Sequence, residues 1–211
     1  TVSPPGENEP VQLALVRQCG EQLTRVLRNE CDPLPLLFPP ESAISAERLY
    51  RDAPAAKVLN SLLADVVAEA LQHTPVGRPL RILEIGAGTG GTTSFVLPLL
   101  PADRVYYTFT DVSPLFISSA KQTFGGYSFV DYAVLDIAAD PTTQGFALQD
   151  YDLVIAANVL HATPDLRKTL SHVHSLMAPN GLLLLMEGTA RQRWLDVTFG
   201  LLDGWWAYTD S

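Results

Sequence analysis

The stretch Leu80-Arg81-Ile82-Leu83-Glu84-Ile85-Gly86-Ala87-Gly88-Thr89-Gly90-Gly91 decides the fold. Its first six residues form a short apolar run, the signature of a strand buried in a sheet. Glycines end that run, and Thr92–Leu99 reads as a helix. Gly86, Gly88 and Gly91 satisfy G-x-G-x-x-G, in which missing side chains let backbone approach a ligand closely. The amides opening the following helix can hold an anionic group, carboxylate or phosphate. Taken alone, the match admits a nicotinamide dinucleotide.

Downstream, strands and helices alternate. Val105–Thr110 reads as a second strand followed by Asp111, and Ser113-Pro114 as a helix start with Phe116, Ala120 and Phe124 facing inward. Tyr127–Val134 and Asp152–Ala157 read as the third and fourth strands. Thr163-Pro164 opens a helix with Leu166, Leu170, Val173 and Met177 on one side. After a turn at Pro179-Asn180-Gly181, Leu182–Met186 is a fifth strand and Arg193–Leu202 a last helix. The alternation predicts an α/β fold, a Rossmann-like, doubly wound and mostly parallel sheet. Ligands of such sheets bind beyond the C-terminal strand ends.

Upstream, residues 1–10 are rich in Pro, Gly and Glu and read as linker. They lack a starting Met and a signal-peptide core, which suggests a domain cut from a longer polypeptide. Val11, Leu15, Cys19, Leu23 and Leu27 recur every four residues, one apolar stripe of a helix that Pro33 and Pro35 stop. Residues 34–40 read as an apolar loop. Leu59, Leu62, Leu63, Val66, Val67, Ala70 and Leu71 mark a second helix ending before Pro75. The expected division is therefore a helical N-terminal segment over 11–77 and an α/β core over 78–211.

The totals narrow the function. A formal net charge of −9 argues against a nucleic-acid partner, which calls for a basic face. Cys19 and Cys31 are the only cysteines and form no C-x-x-C pair, so the reducing cytoplasm is the expected compartment. No apolar run approaches the ~18 residues of a membrane span. His172 and His174, two apart on a helix, face different ways and read as structural, and His73 carries no signal, so no metal is expected.

Three acids lie at or just beyond the ends of three strands. Glu84 precedes the first glycine by two residues and can face the cationic end of an amino-acid moiety. Asp111, at the end of the second strand, can accept both ribose hydroxyls. Asp136, after the third, can take an adenine amino group, with Ile137 packing on the ring. Asp111 serves NAD equally well; Glu84 and Asp136 favour S-adenosylmethionine. The plainer readings are a tight strand-to-helix turn for the glycines, a solvated loop acid for Asp136 and an internal salt bridge for Glu84. Beyond the fourth strand lies His161, and Glu187 ends the fifth, adjacent one. Imidazole titrates near ~6.5 and serves as a base at neutral pH. A carboxylate on its other nitrogen fixes the tautomer.

At these residues the chain resembles the class I methyltransferases that use S-adenosylmethionine, and more narrowly the C-methyltransferase domains of modular polyketide synthases. The resemblance is carried by residues 83–93, by Tyr107-Thr108-Phe109-Thr110-Asp111-Val112-Ser113, and by Tyr151–Thr163 with its Asn158-Val159-Leu160-His161-Ala162. Glu187-Gly188-Thr189 and Phe199–Trp206 with its Gly204-Trp205-Trp206 complete it. It implies that His161 and Glu187 form a catalytic dyad removing the α-proton of a β-ketoacyl thioester. It also implies that Gly90 and Asn158 join Glu84, Gly86, Gly88, Asp111, Asp136 and Ile137 around S-adenosylmethionine. The helices before residue 78 would be a lid. Tyr50 would close over the cofactor, and Trp205 and Trp206 would wall an acyl pocket, although core packing explains these aromatics as well. The implied partners are an acyl carrier protein, which presents the substrate on phosphopantetheine, and neighbouring synthase domains. Seven strands are usual in the family and five are legible here, so the C-terminal strands are expected to be missing. The competing readings are an inactive scaffold within a megasynthase, a small-molecule O- or N-methyltransferase, and an NAD oxidoreductase.

Overall fold

The computed structural model describes residues 10–39, 44–75 and 77–209; the linker reading of 1–9 lies outside them. Five strands form one sheet: β1 Leu80–Ile85, β2 Val105–Asp111, β3 Val130–Val134, β4 Tyr151–Ala157 and β5 Met177–Met186. Their order is β3-β2-β1-β4-β5, and every pair is parallel. The chain winds outward from β1 in both directions, so the topological switch point lies between β1 and β4. Both strands are apolar nearly throughout because both faces are covered: all of β1 but Arg81 is buried.

The helices are α1 Val11–Leu27, α2 Leu34–Leu37, α3 Ala46–Asp52, α4 Pro54–His73, α5 Thr93–Val96, α6 Pro114–Phe124, α7 Leu166–Leu176 and α8 Arg193–Val197. Two compact units emerge. One comprises the described residues of Thr1–Leu59 with Thr189–Trp206; the other comprises those of Asn60–Gly188 with Ala207–Ser211. This departs from a boundary at 77. The division falls inside α4, and residues 189–206 group with the N-terminal helices. The core of the first unit gathers Leu15, Cys19, Leu37, Ala46 and Leu49 around Phe199. In the second unit, α4 and α6 cover one side of the sheet through Val67, Leu71, Ile117 and Phe124. Val173 and Leu176 of α7 pack with Leu83, Ile85 and Val154 in a separate cluster.

Several elements differ from their sequence reading. Residues 34–37 are helical rather than loop, with Leu37 buried. On α1 the apolar stripe breaks at its end, where Leu27 is exposed. On α4 the buried face is Asn60, Leu63, Ala64, Val67 and Leu71, while Leu59, Leu62 and Val66 are exposed. α7 starts at Leu166 with Asp165 as its cap, accepting from the Lys168 N–H at 2.9 Å, so Thr163-Pro164 precedes the helix. Its buried face is Thr169, Val173 and Leu176; Leu166 and Leu170 are exposed. On α6, Ile117 rather than Phe116 is buried with Ala120 and Phe124, and the Ser113 side chain makes no cap hydrogen bond. β3 begins at Val130 because Tyr127–Phe129 are used in the turn from α6. Pro179-Asn180-Gly181 turns the chain inside β5, where a register shift separates Tyr151↔Met177 from Leu153↔Leu182. The last predicted helix, Arg193–Leu202, breaks into α8 and a 3₁₀ turn at Phe199–Leu201.

Candidate active site

The second unit brings the glycine loop, the three acids and the dyad to the C-terminal edge of the sheet. Glu84, on β1, is buried, and its Oε2 accepts from Thr93 Oγ1 and from the Tyr107 hydroxyl, each at 2.5 Å. Burial dominates its titration and raises its pKa to about 7; the two hydroxyl bonds oppose this, and nearby Asp111 adds to it. A cation beside Glu84 would restore its ionised form, which fits the amino group of an amino-acid moiety.

The glycines divide into two kinds. Gly86, Gly88 and Gly90 all have positive φ, at 59°, 56° and 78°. A Cβ on Gly86 would run into the Val159 side chain, and one on Gly90 into the Phe124 ring. These two glycines are thus required by protein packing. Gly88 alone of the three faces open space, with only the Gly86 carbonyl oxygen 3.9 Å from an added Cβ. Its N–H donates to Asp111 Oδ2 at 2.9 Å. Asp111 Oδ1 accepts from the Ser113 N–H at 2.8 Å. Each carboxylate oxygen therefore keeps acceptor capacity, enough for a pair of ribose hydroxyls. Burial raises the Asp111 pKa against these backbone bonds. The helix after the loop is a single turn, Thr93–Val96, continuing as 3₁₀ to Leu99 around Pro98. So short a helix offers little dipole to an anionic group.

Asp136 and Ile137 follow β3 through a turn. Asp136 is exposed, and its Oδ1 accepts from the Ala138 N–H at 2.9 Å; Ile137 is buried. Among the described residues, nothing accepts from the Ile137 N–H. A carboxylate acceptor beside an unused backbone donor complements the acceptor–donor edge of adenine. Open space at Gly88, spare lone pairs on Asp111 and this edge are the observations that fit S-adenosylmethionine.

The dyad is assembled by β4 and β5. His161 Nδ1 lies 2.5 Å from Glu187 Oε2. Glu187 Oε1 accepts from the backbone N–H of Val159 at 3.1 Å and of Leu160 at 2.8 Å. One carboxylate thus holds both the imidazole and the turn that presents it. An ionised Glu187 accepts only, so Nδ1 carries the proton and Nε2 carries the lone pair. Asn158 takes φ 53° to start that turn, and its N–H donates to the Met186 carbonyl at 2.7 Å, tying the ends of β4 and β5. Gly86, packed on Val159, links the glycine loop to the same turn.

The aromatic residues assigned to the cofactor and the acyl chain belong to the first unit. Tyr50 packs on Phe199 with centroids 5.6 Å apart, and Trp205 stacks on it at 6.4 Å. Trp206 is exposed, and its indole N–H donates to the Gly200 carbonyl at 2.9 Å. The described contacts of all three are those of side chains packed within that unit. Sequence reasoning missed Thr93 and Tyr107 as the residues that hold Glu84, although both lie in the quoted motifs. It missed Gln144, which no motif marks, and left His172 without a function. Among the described residues there is no group of His, Cys, Asp and Glu able to hold a metal, and no helix is long and apolar enough to cross a membrane.

A family model described as a methyltransferase domain matches residues 83–183. The non-reducing polyketide synthase ausA of Aspergillus calidoustus is 39% identical over 201 residues, which is 93% of this chain and 8% of that protein. The chain therefore spans a small part of the curated relatives it matches. The CurJ carbon methyltransferase crystal structure superposes with a TM-score of 0.91 at 50% identity, covering 95% of this chain and 53% of that one. The trans-methyltransferase CalH, solved in complex with SAH, gives 0.74 at 36% identity over 90% of this chain and 52% of that one. Fold, site and matches together define a methyltransferase of the class that uses S-adenosylmethionine. Within that class the chain is similar to the carbon-methyltransferase domains of polyketide synthases.

Proposed function

We propose that this domain methylates the α-carbon of a β-ketoacyl thioester carried by an acyl carrier protein, within a polyketide synthase. The observation that carries the proposal is the Glu187 clamp, which orients His161 and fixes its tautomer at the edge of the crevice. S-adenosylmethionine, when bound, supplies an electrophilic methyl group on a sulfonium. Glu84, Gly86, Gly88, Gly90, Asp111, Asp136, Ile137 and Asn158 would hold it.

His161 Nε2 takes the α-proton of the thioester, and Glu187 stabilises the imidazolium that forms. The electron pair left on the α-carbon makes the new carbon–carbon bond as the carbon–sulfur bond breaks. The products are the α-methyl-β-ketoacyl thioester, S-adenosylhomocysteine and one proton. A general base contributes about 10²–10⁴ in rate, and positioning contributes more. On the family resemblance alone, Tyr50 is proposed to close over the cofactor, and Trp205 and Trp206 to meet the acyl chain.

Calorimetric titration with S-adenosylmethionine, run beside turnover of a β-ketoacyl carrier protein, tests this. His161→Ala is expected to bind the cofactor as the wild type does and to lose methylation by at least ~10²-fold. Near-normal turnover of the variant would remove His161 from the mechanism. A wild-type domain that binds no cofactor would favour the scaffold reading.

A further inference from the structure

The turn after β3 carries the proposed adenine edge, yet no regular element contains it. Asp136 and Ile137 leave the strand, and the next regular piece is a 3₁₀ turn at Pro141–Gln144. A loop at an open sheet edge would hold its donor and acceptor in many relative positions. Two side chains outside the motifs prevent this.

Gln144 ends the 3₁₀ turn, which Asp140 caps by accepting from the Thr142 N–H at 2.9 Å. Gly145, at φ 88°, then takes the chain away, and the Gln144 amide folds back over the loop. Its Oε1 accepts from the Asp136 N–H at 2.9 Å. Its Nε2 donates to the Asp136 carbonyl at 2.8 Å and to the Asp140 carbonyl at 3.3 Å. One primary amide thus pairs with both backbone groups of Asp136, whose carbonyl also accepts from the Ala139 N–H at 3.1 Å. From the other side, His172 of α7 approaches the Ile137 carbonyl with Nδ1 at 2.9 Å. A carbonyl only accepts, so this nitrogen carries the proton. The peptide units on either side of the Ile137 N–H are therefore pinned to two different elements.

We propose that Gln144 and His172 are positioning residues for nucleobase selectivity: they hold Asp136 and the Ile137 N–H in the acceptor–donor register that admits adenine and rejects a 6-oxopurine. The inference rests on the reading of Asp136 and Ile137 as the adenine edge. A 6-oxopurine presents a donor at N1 and an acceptor at O6, like facing like on this edge. The register discriminates only while the two groups stay fixed; a loosened loop can swing the mismatch into water.

The test is binding of S-adenosylhomocysteine against S-inosylhomocysteine by calorimetry, with thermal melting as the fold control. The wild type is expected to prefer adenine by ~10- to 100-fold. Gln144→Met keeps the length of the side chain and removes its hydrogen bonds; the preference is expected to shrink ~10-fold at an unchanged melting temperature. His172→Leu should shrink it as well. His172→Asn, whose amide N–H can stand where Nδ1–H stands, should keep it. Equal weakening of both ligands by Gln144→Met, or no change in either, would overturn the positioning role while leaving the adenine edge intact. A wild type that binds both ligands equally would overturn the adenine edge, and the inference with it.

Discussion

Glu187 does two jobs with one carboxylate, and their separation is testable residue by residue. Its Oε2 faces His161, and its Oε1 holds two backbone donors of the preceding turn. Glu187→Gln keeps the volume but removes the charge that stabilises an imidazolium. Turnover is expected to fall by ~10²-fold or more, while the affinity for S-adenosylhomocysteine stays within about threefold in calorimetry. Glu84 makes a different claim, about pH. Burial raises its folded pKa to about 7, above the unfolded value near 4.5. The stabilising contribution of a raised carboxylate is complete below the unfolded pKa and is lost as pH rises through the folded one. The ligand-free domain should therefore lose about 3 kcal/mol through Glu84 between pH 4.5 and 7.5. Glu84→Gln should remove that component from urea unfolding measured across the range, and should weaken cofactor binding at pH 8. A variant with the wild-type pH slope would refute the assignment. At this scale the sequence made the dyad and the acids legible, because each lies at or just beyond the C-terminal end of a strand. It left Gln144 and His172 unread, because their partners are backbone atoms of a loop whose path no motif encodes.

At the scale of elements, the glycine loop and the turn carrying His161 act as one packed piece. Gly86→Ala must place a Cβ into Val159 at φ 59°, whereas Gly88→Ala meets only the conformational penalty at φ 56°. The first substitution should cost roughly 2–4 kcal/mol and the second about 1–2 kcal/mol in urea unfolding. Val159→Ala in the Gly86→Ala background should recover the packing part, and an additive double mutant would contradict the contact. Strand identities were legible where both faces are covered: the limits of β1 read from its apolar run are those observed. Helix faces were less legible. On α4 and α7 more positions are apolar than are buried, so period alone left the inward face open, and Asn60 and Thr169 take places on it through hydrogen bonds to Thr92 and Thr163. The interruption of β5 was legible as a turn. Its placement inside a strand was not, since only pairing with β4 shows that the chain resumes the same ladder.

At the scale of the whole molecule, β3 and β5 are the edges of the described sheet, and β5 exposes Leu182 and Leu185. Exposed apolar strand edges invite self-association. Leu182→Lys should lower self-association of this chain in sedimentation at high concentration and leave the affinity for S-adenosylhomocysteine unchanged; association equal to that of wild type would show that the edge is not responsible. The central claim is that a His–Glu dyad deprotonates an acidic carbon, which then takes the methyl group of S-adenosylmethionine. It is tested most directly by the intact mass of a β-ketoacyl carrier protein before and after incubation with this chain and S-adenosylmethionine. A substrate with α-hydrogens should gain one methylene with the wild type and none with His161→Ala, and an α,α-dimethyl substrate should gain nothing. Methylation of the dimethyl substrate, or no gain with the first, would contradict the account.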